Sequence, residues 1–119
     1  MIKEEKGKII DELAANLSKS SIVIATEYRG ITAKEMVQLR KQLREKGIDY
    51  KVTKNTLTKF AADKTGKAKL NDMLTGPLAL AIGYDDVVKP AKTLSDYIRT
   101  SGSNLKIRGG LLGDKLLTP

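Results

Sequence analysis

Tyr50-Lys51-Val52-Thr53-Lys54-Asn55-Thr56-Leu57 is the stretch that decides how this chain folds. Together with Ile48, Tyr50 and Val52 alternate with polar residues, the period of a half-buried strand. Thr53-Lys54 breaks the alternation. Asn55 then stands where a helix N-cap is favoured, and Leu57, Phe60 and Ala61 are expected to form the inner face of the helix that follows. A strand that runs through a short polar turn into a helix is a building unit of layered α/β domains.

The same alternation of periods extends in both directions. Ile9, Ile10, Leu13 and Leu17 make one stripe of a first helix over about Lys3 to Lys19. Ile22-Val23-Ile24-Ala25 is a short branched run of the kind found in buried strands. After Glu27-Tyr28-Arg29-Gly30-Ile31, Thr32 and Glu35 have capping-box spacing and open a second helix with Met36, Leu39 and Leu43 inside. Leu70, Met73 and Leu74 predict a short helix closed by Thr75-Gly76-Pro77, and Leu78 to Ile82 a second buried strand. Asp85-Asp86 precedes a helix carrying Val87, Ala91, Leu94 and Ile98, with Pro90 in its first turn and Gly102 at its end. Leu105-Lys106-Ile107 predicts a last strand before a flexible Gly109-Gly110. The expectation is one α/β layered domain over residues 1–119, a small sheet of about four strands with helices packed on it.

Charge is concentrated around the deciding stretch. Arg40 to Lys69 holds ten Lys or Arg against Glu45, Asp49 and Asp63, a net of +7, while the whole 119-residue chain carries +8. A basic belt on an otherwise balanced domain reads as a footprint for a polyanion. The chain has no His and no Cys, which removes the commonest general base, the commonest metal ligand and any disulfide framework. Adjacent Asp85 and Asp86 read as a helix cap, Gly109 to Gly113 has the wrong spacing for a dinucleotide loop, and no Walker-type loop is present. An enzyme is therefore disfavoured and no cofactor is expected. No signal-peptide core and no apolar run near the ~20 residues of a membrane span exist, so the expected compartment is the cytoplasm, with no membrane partner.

Two places suit phosphate oxygens. A helix start at Lys54-Asn55-Thr56 presents unpaired N–H groups and a partial positive charge, with Lys59 one turn on. Arg29 on a loop relieved by Gly30 is a second. Both motifs have a bland alternative, a cap and solvated surface charges: at the helix start the belt brings the two readings level, and surface Arg-Gly pairs are common. One Phe and four Tyr spread along the chain do not make the stacking platform of a single-strand binder. The pattern favours a folded RNA or duplex held through phosphates and shape.

Five motifs in order, Tyr28-Arg29-Gly30-Ile31-Thr32, Leu39-Arg40 with Leu43-Arg44, Val52 to Leu57, Leu74-Thr75-Gly76-Pro77 and Gly109 to Gly113, give a resemblance over essentially the whole chain. It closely resembles the N-terminal domain of bacterial ribosomal protein ten of the large subunit, the stalk-base family. The resemblance implies a non-enzymatic ribosomal scaffold. Family members bind the folded stalk-base region of large-subunit rRNA beside ribosomal protein eleven, and so anchor the lateral stalk that recruits translational GTPases. Full-length members also repress their own messenger.

Matched residue by residue, the implied RNA face comprises Arg29, Gly30, Lys54, Asn55, Thr56 and Lys59. Arg40 and Arg44 lie on a basic helix, and Lys3, Lys6 and Lys8 are outer contacts. Family members continue past Leu117-Thr118-Pro119 into a helix that carries acidic stalk-protein dimers. The present chain is therefore expected to bind rRNA without holding those dimers. Three other readings remain: an assembly paralogue on the same rRNA site, a small nucleotide or phosphotransfer enzyme, and a protein-interaction module.

Overall fold

A computed structural model of the protein describes residues 3–113 and 115–117, with the side chain of Lys3 and the terminal Thr118-Pro119 outside the described part. In chain order the elements are α1 (Lys3–Lys19), β1 (Ile22–Glu27), α2 (Ala33–Glu45), β2 (Asp49–Val52) and α3 (Asn55–Lys64). A 3-10 helix (Ala68–Met73) follows, then β3 (Leu78–Gly83), α4 (Val88–Ser101), β4 (Lys106–Leu112) and β5 (Lys115–Leu117). The α/β layered architecture is the one the sequence predicts, with five strands instead of about four.

All pairings are antiparallel, in the order β2-β3-β1-β4-β5. Central strands β1 and β3 are apolar on both faces and separate two cores. Val23, Ala25, Leu78, Leu80 and Ile82 face α1, α3 and the 3-10 helix, joining Leu13, Leu17, Ala61, Ala62 and Leu70. Ile22, Ile24, Ala79 and Ala81 face the other way, towards Leu39 and Leu43 of α2 and Leu94 and Tyr97 of α4. The continuous apolar runs of β1 and β3 follow from this double burial.

The second core contains one polar chain. Thr26 on β1 donates to the Ala79 carbonyl (2.9 Å), and its oxygen lies 2.6 Å from the Tyr50 hydroxyl, which therefore donates to it. Tyr50 belongs to β2, and β3 lies between the two strands. The ring reaches across because β3 presents only Ala79 and Ala81 on that face. Burial pushes the Tyr50 hydroxyl up from 10.0 to about 12.

Most element ends follow the predicted chemistry. Thr32 caps α2 by accepting from the Glu35 N–H (3.1 Å), and Asp86 accepts from the Val88 N–H (2.8 Å) ahead of α4. Gly47, Gly66 and Gly102 take positive φ just past α2, α3 and α4.

Four expectations need correction. Asn55 is not the N-cap of α3. Lys54 holds that position with extended backbone, and the Asn55 amide points elsewhere. Phe60 is not on the inner face. Leu57, Thr58, Ala61 and Ala62 form it, and Phe60 lies well off the centre of that face, four residues past the exposed Thr56. Val87 lies outside α4 and is exposed, while Pro90, Leu94 and Tyr97 are buried.

Gly109-Gly110 is not a flexible joint but the middle of β4, which runs on to Leu112 and pairs with the unanticipated β5. Both glycines are there because neighbours come close. A Cβ at Gly110 would lie 2.8 Å from the Val23 carbonyl oxygen, and one at Gly109 2.7 Å from Met73 Sδ.

Gly110→Ala is expected to lower stability by about 1–3 kcal/mol, since the clash is with backbone that has no room to yield. A urea midpoint equal to wild type would mean that β4 sits further from β1. A second expectation concerns alkaline pH. Tyr50 binds its proton more tightly folded than unfolded, so its contribution is complete below pH 10.0 and is lost as pH rises towards about 12. Tyr84, also raised by burial and by its hydrogen bond to Asp49, acts in the same direction. The unfolding free energy measured from pH 9 to 12 should fall, and less steeply in Tyr50→Phe. Identical slopes in the two proteins would show that Tyr50 ionises freely in the fold.

Candidate nucleic-acid interface

The antiparallel order brings the C-terminal ends of β1 and β2 and the N-terminal ends of β3 and β4 to one end of the sheet. Three loops meet there and are laced together. The Tyr28 N–H donates to the Pro77 carbonyl (3.2 Å), tying the loop after β1 to the turn before β3. The Asn55 side-chain amide donates to the Gly76 carbonyl (2.9 Å), tying the start of α3 to the same turn. Asn55 thus holds the turn, while Lys54 occupies the cap position. Gly76 has φ +77°, and the Arg29 Nη2 lies 4.0 Å from the point where a side chain on it would begin. The turn is thus kept bare beneath the guanidinium.

The start of α3 is open. The Lys54 carbonyl accepts from the N–H groups of Leu57 (3.0 Å) and Thr58 (3.1 Å), and no side chain caps the helix. The N–H groups of Asn55 and Thr56 therefore remain the helix's positive end. Tyr28, Val52, Thr53, Lys54, Asn55, Gly76, Pro77 and Leu78 line a depression of about 350 Å³ at this place. Gly30, at φ +84°, turns the Arg29 loop back towards α2, close to Asn104.

Of the residues expected from sequence, Arg29, Gly30, Lys54, Asn55 and Thr56 come together at this end of the sheet. Lys59 sits one turn along α3, on the outward stripe with Thr56. Arg40 and Arg44 do not join them directly. They line a second depression of about 240 Å³ along residues 48–52, and the two depressions share Val52. The Arg40 Nε is buried there with no hydrogen-bond partner among the described residues.

The belt is also less uniform in space than in sequence. Lys51 pairs with Glu12 (3.1 Å) and Lys64 with Asp11 (2.9 Å), so two of its charges are taken up by acids of α1. Lys6 and Lys8 are exposed on α1.

Sequence reading missed Arg108. A register shift between Ala25 and Thr26 leaves it as the extra residue on β4, and its Nη1 donates to Glu27 Oε2 at 2.8 Å. The other oxygen of Glu27 is 3.6 Å from Arg29 Nε. Glu27, only 14% exposed, thus holds two guanidinium groups at the end of the sheet, with Arg29 itself 73% exposed. Without the pairing register, nothing in the sequence connects positions so far apart. Among the described residues no cluster of three Asp, Glu, His or Cys is able to hold a metal, and no helix is long and apolar enough to cross a membrane.

The family profile described as Ribosomal protein L10 matches residues 1–99. The chain is 44% identical over 117 residues to a Bacillus cereus protein named large ribosomal subunit protein uL10, covering 98% of this chain and 70% of that one. A Bacillus anthracis protein of the same name is 44% identical over 115 residues, covering 97% of this chain and 69% of its own. The class is that of a structural protein of the large ribosomal subunit, not an enzyme. Within it, the chain belongs to the ribosomal protein L10 family.

Asn55→Ala removes the tie between α3 and the Gly76 turn but leaves every charge in place. It should cost about 1 kcal/mol and speed amide exchange at Tyr28, whose N–H is bonded to the same turn. Unchanged exchange at Tyr28 would show that the turn holds its shape without Asn55.

Proposed function

We propose that this domain binds the folded stalk-base region of large-subunit rRNA and so anchors the lateral stalk that recruits translational GTPases. Ribosomal protein eleven is its neighbour there, and the whole domain, residues 1–119, serves as the anchor. The observation that carries this reading is the convergence of Arg29, Lys54 and the uncapped N–H groups of Asn55 and Thr56 on one laced end of the sheet. Arginine offers a planar fork for two phosphate oxygens, and a helix start offers N–H donors already aimed outward. Lys54 adds a mobile full charge beside them.

Arg40 and Arg44 extend the contact along β2, and Lys59 extends it along α3. Because the three loops are tied to each other, the donors are in place before the RNA arrives, and little ordering is needed on binding. Folded RNA is the fitting partner, since fixed donors select a fixed arrangement of phosphates. The acidic stalk-protein dimers belong to the full-length family members and are not assigned to these residues.

A salt titration against the isolated stalk-base RNA, with a scrambled RNA of equal length alongside, tests the reading. Tight binding to the folded RNA alone is expected, with log affinity falling about 3–5 units per log unit of salt, as for about four to six phosphate contacts. Arg29→Ala and Lys54→Ala should each weaken binding by about 1–3 kcal/mol and flatten that slope. Equal, weak binding to both RNAs would reduce the basic residues to a generic charged surface. The same result would favour a protein-interaction module.

A further inference from the structure

The one phenylalanine of the chain is out of place for a core residue. Phe60 is 58% exposed, on a helix whose inner face is complete without it. The other four aromatic rings are accounted for. Tyr50 and Tyr97 are buried, Tyr28 packs against the second core, and Tyr84 packs against the first and donates to Asp49. Folding therefore does not explain Phe60.

Its neighbours narrow what would. Counting along α3, Thr56, Lys59, Phe60 and Asp63 form one outward stripe at i, i+3, i+4 and i+7. The ring stands about one turn beyond the open helix start, next in sequence to Lys59 and exposed like it. Polar residues surround it on its own helix, whereas the anchor of a protein interface sits among apolar neighbours. Asp63, held by the Asn71 amide at 3.0 Å, makes the far end of the stripe unfavourable for a phosphate. The near end, with Thr56 and Lys59, favours one.

We infer that Phe60 is the stacking platform for one unpaired base of the bound RNA, with the adjoining phosphate directed towards Lys59. This rests on the RNA reading proposed above. It adds to that reading a contact with a base face, in a site otherwise made of phosphate contacts. A single ring suits a bulged or looped-out nucleotide of a folded RNA, the kind of base that proteins take out of its stack. Every base has a π-face, so the contact brings affinity without requiring a particular base.

The test uses the whole chain and the stalk-base RNA fragment. Phe60→Ala should weaken binding by about 5- to 100-fold, the range for loss of one base–aromatic stack. Phe60→Tyr should stay within about threefold of wild type, and Phe60→Leu should remain near the Ala value, because an apolar side chain of similar bulk has no π-face. None of the three should change the salt slope, in contrast to Lys54→Ala. The chain contains no Trp, so Phe60→Trp installs a lone indole whose fluorescence the stacked base should quench. All four variants should melt with wild type, since the site is exposed.

Wild-type affinity in Phe60→Ala, full recovery in Phe60→Leu, or an unquenched indole would each overturn the platform and leave the phosphate site standing. Failure of the unmodified chain to prefer the folded RNA would overturn both readings.

Discussion

The hydrogen-bond chain from Tyr50 through Thr26 to the Ala79 carbonyl holds the edge of the sheet to its centre. Strand β2 has one strand neighbour, β3, and is four residues long. Backbone pairing alone would leave it prone to fraying. The Tyr50 ring crosses over two alanines and reaches the central strand, so β2 moves with β1 and not merely with β3. Lys54 and the start of α3 follow directly from the end of β2, and Arg29 follows from the end of β1. The loops that carry Arg29 and Lys54, the two cationic groups of the proposed site, are thus tied together by a tyrosine in the core, on the side of the sheet away from α3.

Much of this was readable in the order of residues. The layered α/β class followed from alternating periods, and the caps at Thr32 and Asp86 and the turns at Gly47 and Gly102 lay where local chemistry puts them. What went wrong was decided by contacts between distant segments. Asn55 has the right side chain for a cap, but Lys54 holds the cap position, and the Asn55 amide donates instead to the Gly76 carbonyl, 21 residues on. Phe60 looks like core by residue type. The inner face of α3 is completed by Leu57, Thr58, Ala61 and Ala62, and Phe60 lies off it. Gly109 and Gly110 look like a hinge because sequence does not show Val23 and Met73 pressed against them. Of the site, the individual basic residues were visible, but not their division into a laced cluster and a strip along β2. Arg108 was invisible because a register shift created its role.

The basic surface is tempered by acids placed within it. Glu27 anchors both Arg29 and Arg108, and Glu12 and Asp11 hold Lys51 and Lys64. The pairs on Lys51 and Lys64 are largely exposed and add little stability. Their effect is on geometry and on local charge, orienting long side chains while lowering the field they project.

The free edge of β2 has a consequence for the protein on its own. An unpaired strand edge is a template on which a second chain is able to add its own strand. Here the strip beside that edge is lined by Arg40 and Arg44, with Asp49 and the Glu12-paired Lys51, on a chain of net charge +8. A second copy approaching edge to edge meets its own charges and is repelled. Charged side chains along an edge strand disfavour such pairing. A polyanion laid over the strip would cancel that repulsion and, by covering the edge, make it unnecessary.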